Sequence, residues 1–208
     1  MQPAQLLIIA CGAIAREISA VARSNGWNNI KISQIPAELH NRPELIPGAV
    51  EKRLLDFAGE YDRVFVGFAD CGTGGRLDRV LEKYQAQRLN GAHCYEFYAG
   101  SAAFAKLAEL ELGTFYLTDY LAKHFEPLIM QGMGLRDKPK LIPLMFGHYK
   151  KLVYMAQDDS RHLDHYAEAA AQSLGLHYEK IITGYGQMAL DLQQYMQNNE
   201  VEVVRWQH

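Results

Sequence analysis

The sequence has no surplus of positive charge. Its 21 Lys and Arg face 24 Asp and Glu, a net charge of −3, and no basic cluster or stripe stands out. Nucleic-acid binding requires such a stripe to neutralise phosphates, so that class is set aside. No hydrophobic run reaches bilayer length either. The apolar stretch from Leu6 to Ala10 is too short to span, and no basic region precedes it as in a secretion signal. The expectation is a cytoplasmic protein with no membrane partner. Cysteine is scarce: there are three, an odd number set far apart, which makes a poor disulfide framework and suits a reducing compartment. None of them forms the Cys-x-x-Cys pair that makes zinc ribbons recognisable. Pro- or Ser-rich linkers and exact repeats are absent, and the sequence carries no signal of oligomeric state.

What remains is an ordinary globular balance, 49% hydrophobic and 22% charged over 208 residues. Leu6 to Ala10 reads as a strand buried on both faces, followed at once by Cys11-Gly12 and a helix with Ile14, Ile18, Val21 and Ala22 on one side. The same grammar returns where the run from Arg63 to Ala69 ends in Asp70-Cys71-Gly72-Thr73-Gly74-Gly75, before Leu77, Val80, Leu81 and Tyr84 at helical spacing. Between them, Ile30 to Ile35 reads as a strand, residues 40–44 as a loop, and Glu44 onward as a helix. A short segment from Ala86 to Leu89 leads into His93-Cys94-Tyr95-Glu96 and another helix. Later strands are expected at Thr114 to Leu117, Leu152 to Ala156, Tyr178 to Ile182 and Val201 to Trp206. Eight strand-like runs alternating with helices predict an α/β fold with doubly wound, mostly parallel sheets. They form either one domain or two similar lobes around a cleft, residues 1–112 carrying the cysteines and 113–208 following.

Loops leaving the carboxyl ends of parallel strands share one edge, where ligands bind. Cys11, Cys71 and Cys94 all belong to such loops and all precede helices, whose N-termini favour thiolate over thiol. They are therefore candidate metal ligands. Three thiolates without a fourth suit an iron–sulfur cluster (4Fe-4S with three Cys ligands) or zinc, either with one position left for a small-molecule substrate. The alternatives are a metal-free enzyme with one nucleophilic cysteine, or three unrelated core cysteines. Asp70, His93 and Glu96 are candidate catalytic groups for proton transfer, although Asp70 also suits a helix cap. Gly72, Thr73, Gly74 and Gly75 offer backbone amides to an anion or phosphate, or simply permit a tight turn. His40 and Arg42 form a polar loop that could meet an anionic substrate, with surface exposure as the default reading.

These segments resemble those of the bacterial and archaeal domain-of-unknown-function family 1638. The resemblance rests on Ala10-Cys11-Gly12-Ala13, His40-Asn41-Arg42-Pro43, Asp70 to Gly75, His93 to Gly100, and Thr183-Gly184-Tyr185-Gly186, and it extends along most of the chain. It implies that the three cysteines act as a set. The family's association with corrinoid-dependent methyltransferase genes implies one-carbon or methylamine metabolism. On that footing the partner is a corrinoid protein or methyltransferase, and the protein is a metal-dependent enzyme or a non-catalytic accessory holding a metal, corrinoid or small ligand.

Overall fold

A computed structural model describes residues 5–198. The described residues up to Phe97, with those from Gln187 onward, form one compact unit, and Tyr98–Gly186 form a second. The division thus falls earlier than residue 113, and the last helix belongs to the first unit.

In the first unit, β1 (Leu6–Cys11), α1 (Ala15–Ser24), β2 (Ile30–Ile35), α2 (Ile46–Asp56), β3 (Arg63–Gly67), α3 (Arg76–Tyr84) and β4 (Gln87–Arg88) alternate along the chain. The segment read as a loop at 40–44 is instead two short 3-10 turns, Ala37–Asn41 and Pro43–Leu45. The sheet is parallel throughout, in the order β2-β1-β3-β4. Every residue of β1 is buried, as its uninterrupted apolar run requires of a strand covered on both faces. Ile8 lies opposite Ile32 on one side and Phe65 on the other. The chain leaves β1 toward one edge of the sheet and β3 toward the other. Right-handed crossovers then place α1 on one face and α2 and α3 on the opposite one. Gly67 ends β3 because a Cβ there would lie 2.8 Å from Ile18 Cδ1 of α1 and 3.4 Å from the Ala10 Cα.

The chain continues through α4 (Cys94–Ala99) and α5 (Ser101–Leu110) to the second unit's β5 (Thr114–Thr118), α6 (Asp119–Lys123), a π-helix (Glu126–Gln131), α7 (Leu141–Phe146), β6 (Lys151–Ala156), α8 (Asp164–Leu174) and β7 (His177–Ile182). Its parallel sheet runs β5-β6-β7. Ala167, Ala170 and Ala171 give α8 a small-residue face that packs into a core with Leu117, Leu152 and Tyr154. The two sheets hold seven strands among the described residues, and the strand expected at Val201 to Trp206 lies outside them.

The last helix, α9 (Gly186–Gln197), is tied to β3 of the first unit. Arg63 Nη2 donates to the Tyr195 carbonyl at 2.6 Å, and its guanidinium lies 4.5 Å from the Tyr195 ring centre. The Tyr195 hydroxyl donates to the Val64 carbonyl at 3.0 Å, and its ring meets Phe65 at 4.5 Å. Arg63→Ala removes both the carbonyl bond and the cation–π contact, an expected loss of about 1–2 kcal/mol. Urea titration checks this through a lower midpoint, with amide exchange in α9 accelerated ahead of β1.

Candidate functional site

The four parallel strands of the first unit end at one edge, and each hands over a residue with ligand chemistry. In sheet order these are His40 after β2, Cys11 at the end of β1, Cys71 after β3 and Cys94 after β4. The chain reverses its direction of winding between β1 and β3, the position at which open α/β sheets leave a crevice. Cys11 and Cys71 stand on the two sides of that point.

Backbone pairing persists past the strand ends and holds these loops in register. Gly12 N donates to the Ile35 carbonyl at 2.8 Å, continuing the β1–β2 ladder. Asp70 N donates to the Gly91 carbonyl at 3.1 Å and Cys71 N to the Ala92 carbonyl at 3.0 Å, continuing β3–β4 and drawing Cys71 toward the Cys94 turn. Cys71 itself has φ 49, a left-handed conformation that costs a non-glycine residue on the order of 1 kcal/mol. Gly72, Gly74 and Gly75 share the left-handed region at φ 82, 60 and 75, where glycine carries no such penalty.

The glycine turn does gather its amides around an anion, and that anion is the side chain of Asp70. The carboxylate accepts from Gly75 N at 2.8 Å, Gly74 N at 3.1 Å and Thr73 Oγ1 at 2.8 Å. The amides of Gly74 and Gly75 are thereby committed to the protein's own carboxylate. Chiefly through the Gly75 amide, this geometry holds the Asp70 pKa down at about 2. Asp70 is consequently ionised across the neutral range and serves the turn as its cap. A folded-state pKa below the unfolded value means that Asp70 stabilises the protein fully above about pH 4, and that this contribution is lost as pH falls toward 2. Asp70→Asn is therefore expected to lower stability at pH 7 by about 1–2 kcal/mol and to show a shallower loss between pH 4 and 2. Urea midpoints across that range check both parts.

Glu96 plays the corresponding part for the third cysteine. Its Oε1 accepts from Ala92 N at 2.9 Å and His93 N at 3.2 Å, folding the carboxylate back over the start of α4. His93 is exposed, with its ring 6.4 Å from that of Tyr95.

Burial raises all three thiols, and Cys71 adds to the shift of the other two. Burial pushes Cys11 up to about 12, opposed by the Ala13 N–H that donates to its sulfur at 3.4 Å and reinforced by Cys71. Burial pushes Cys71 up to about 11, with the Ala69 and Cys94 N–H groups acting the other way. Cys94 is raised well above the ordinary range by burial first, then by Cys71 and Cys11, while its own N–H and that of Tyr95 oppose. Helix N-termini led to the opposite expectation, thiolates favoured over thiols. Desolvation overrides them because Cys11 is buried and Cys71 and Cys94 are half-buried, where a few amide dipoles replace only part of water's solvation. Among the described residues no group of three His, Cys, Asp or Glu side chains is already arranged to hold a metal ion.

The residue given too little weight by sequence reasoning is His40. Its Nδ1 lies 3.7 Å from Cys11 Sγ and 3.0 Å from the Ala37 carbonyl, and its ring stacks on Phe68 at 6.2 Å with planes 9° apart. Burial lowers its pKa, and the nearby His93 charge acts in the same direction. The signal was its position just past a strand end, as for the cysteines. Arg42 remains exposed beside Glu44 at 3.4 Å.

A doubly wound α/β unit with thiols and an imidazole along one strand-end edge is the class that fold and site define. The chain belongs to the family described as protein of unknown function (DUF1638), which matches residues 34–190. His40, Cys71 and Cys94 fall within that span and Cys11 precedes it. No curated protein and no solved structure matches the chain. Among the described residues no helix is long and apolar enough to cross a membrane.

Proposed function

We propose that Cys11, Cys71 and Cys94 together hold an iron–sulfur cluster or zinc with one coordination position for a small-molecule substrate, and that the protein is an enzyme working at that position. The observation that carries this reading is the placement of the three cysteines along one sheet edge, at or after the ends of β1, β3 and β4, with Cys71 between the other two in sheet order. Three partly desolvated thiolates at one edge would repel one another, and a bound cation would offset both that repulsion and the desolvation that raises each thiol. The Ala13 N–H that donates to Cys11 Sγ at 3.4 Å suits a metal-bound thiolate, whose charge and potential such bonds tune. When bound, the centre supplies Lewis-acid activation of the group at the remaining position. Around it the chain's own residues divide the work. Asp70 and Glu96 fix the two cysteine loops through backbone amides, and His93, exposed beside the site, receives or returns the substrate's proton. The corrinoid-linked one-carbon setting belongs to the same proposal and is supported by the family's association alone.

The test is anaerobic purification of the full chain followed by iron, zinc and sulfide analysis. Iron and sulfide in stoichiometric amounts identify a cluster, zinc alone identifies a single ion, and folded protein that takes up neither overturns the reading. A second reading, a metal-free Cys11 nucleophile, is favoured by the 3.7 Å approach of His40 Nδ1 to its sulfur. It predicts that iodoacetamide abolishes activity through Cys11 alone and that Cys71→Ser and Cys94→Ser remain active.

A further inference from the structure

His40 follows β2, yet its ring reaches along the sheet edge. It stacks on Phe68, the residue after β3, while its Nδ1 lies 3.0 Å from the Ala37 carbonyl and 3.7 Å from Cys11 Sγ at the end of β1. The imidazole thus meets both sides of the point between β1 and β3 where the winding reverses. A carbonyl oxygen only accepts, so the bond to Ala37 fixes the proton on Nδ1. That N–H also faces the Cys11 sulfur, whose large radius makes 3.7 Å a hydrogen-bonding separation. The Ala13 N–H reaches the same sulfur at 3.4 Å. Cys11 is only 3% exposed, so donors to its sulfur come from the protein and not from water. Already carrying a proton, Nδ1 has no basic lone pair with which to take one from the thiol.

We propose that His40 is a positioning residue for Cys11, sharing its Nδ1–H between the Ala37 carbonyl and Cys11 Sγ so that, beside the Ala13 N–H, it orients the sulfur and supplies a second donor to its negative charge. The ring suits this role because Ala37 in its own turn, Phe68 after β3 and Cys11 on β1 hold it from separate elements. Negative charge on the Cys11 sulfur is needed whether it binds a metal or attacks a substrate, so the role reaches beyond either reading. In the metal-free reading it makes His40 the donor that steadies the thiolate and not the base that forms it.

The test is heteronuclear NMR of the imidazole nitrogens in the full chain with labelled histidine, either metal-free or loaded with diamagnetic zinc. His40→Ala identifies the His40 signals by their loss. Wild type is expected to show His40 protonated at Nδ1. Cys11→Ala is expected to shift the Nδ1–H resonance of His40 more than that of any other histidine, and Cys11→Ser, whose hydroxyl still accepts, to shift it less. Amide spectra verify that the variants are folded. A proton on Nε2 and not on Nδ1 overturns the proposal on wild type alone. So does an Nδ1–H resonance unchanged in Cys11→Ala, since the ring then bonds Ala37 and not the sulfur. Metal analysis of the same protein judges the three-cysteine reading separately, and either can fail without the other.

Discussion

Asp119→Ala is expected to destabilise the second unit by about 3–5 kcal/mol, enough to unfold a marginally stable domain. Asp119 is fully buried at the start of α6, directly after β5. One carboxylate oxygen accepts from the Tyr154 hydroxyl at 2.8 Å and from Gln157 N at 3.0 Å, and the other from Asp158 N and Arg161 Nη1, both at 3.2 Å. Its own backbone N–H donates to Gln157 Oε1 at 2.6 Å, so Asp119 extends the link between β5 and β6 past the end of their ladder. Alanine leaves the largely buried Arg161 cation without its partner and the Tyr154 hydroxyl without an acceptor. Burial and the Asp119 carboxylate push the Tyr154 pKa well up, so the phenol stays a donor through any working pH. Asp119→Asn keeps one acceptor but forfeits the charge, and about half the loss is expected. Urea unfolding followed by amide exchange in β5 and β6 decides the matter. An Asp119→Ala protein within about 0.5 kcal/mol of wild type would show that the network contributes nothing net.

For the proposed three-cysteine site, Cys71→Ala is expected to lower metal affinity on the order of 100-fold or more, the largest effect of any single cysteine. Cys71 stands between the other two in sheet order, and its thiolate raises both of them, whereas Cys11 and Cys94 each lie to one side. The two remaining thiols then follow non-adjacent strands, Cys11 at the end of β1 and Cys94 after β4. Cys11→Ala and Cys94→Ala are expected to cost less but still more than tenfold. Competition against a chromogenic chelator measures all three. Similar metal content in wild type and Cys71→Ala would remove that residue from the site. Cys71→Ala spares the glycine turn, because Asp70, and not the cysteine, ties it together.

Much of the fold was legible along the chain. The uninterrupted apolar run of β1 required a strand covered on both faces, and strand–helix alternation required parallel pairing. The domain limit was not legible, because no linker marks the junction at Phe97 and Tyr98, and nothing local reveals that Arg63 and Tyr195, 132 positions apart, meet. The same distinction runs through the site. Asp70 beside four turn residues suited a proton carrier, a helix cap or a phosphate loop, and only the three-dimensional path of the turn directs Thr73, Gly74 and Gly75 onto its carboxylate. His40 suited an exposed loop until the turn after β2 placed it beside Cys11.

The sequence by itself determined that three cysteines follow strand-like runs and that parallel alternation sends such loops to one edge. These are consequences of hydrophobic period and chain direction, which are local properties. Only the tertiary structure decided the order β2-β1-β3-β4, which sets Cys11, Cys71 and Cys94 at or after the ends of adjacent strands with His40 at their flank. It also decided that burial, and not the helix N-terminus, governs the thiols. Strand order and desolvation both depend on contacts between segments far apart in the chain, which no local pattern encodes.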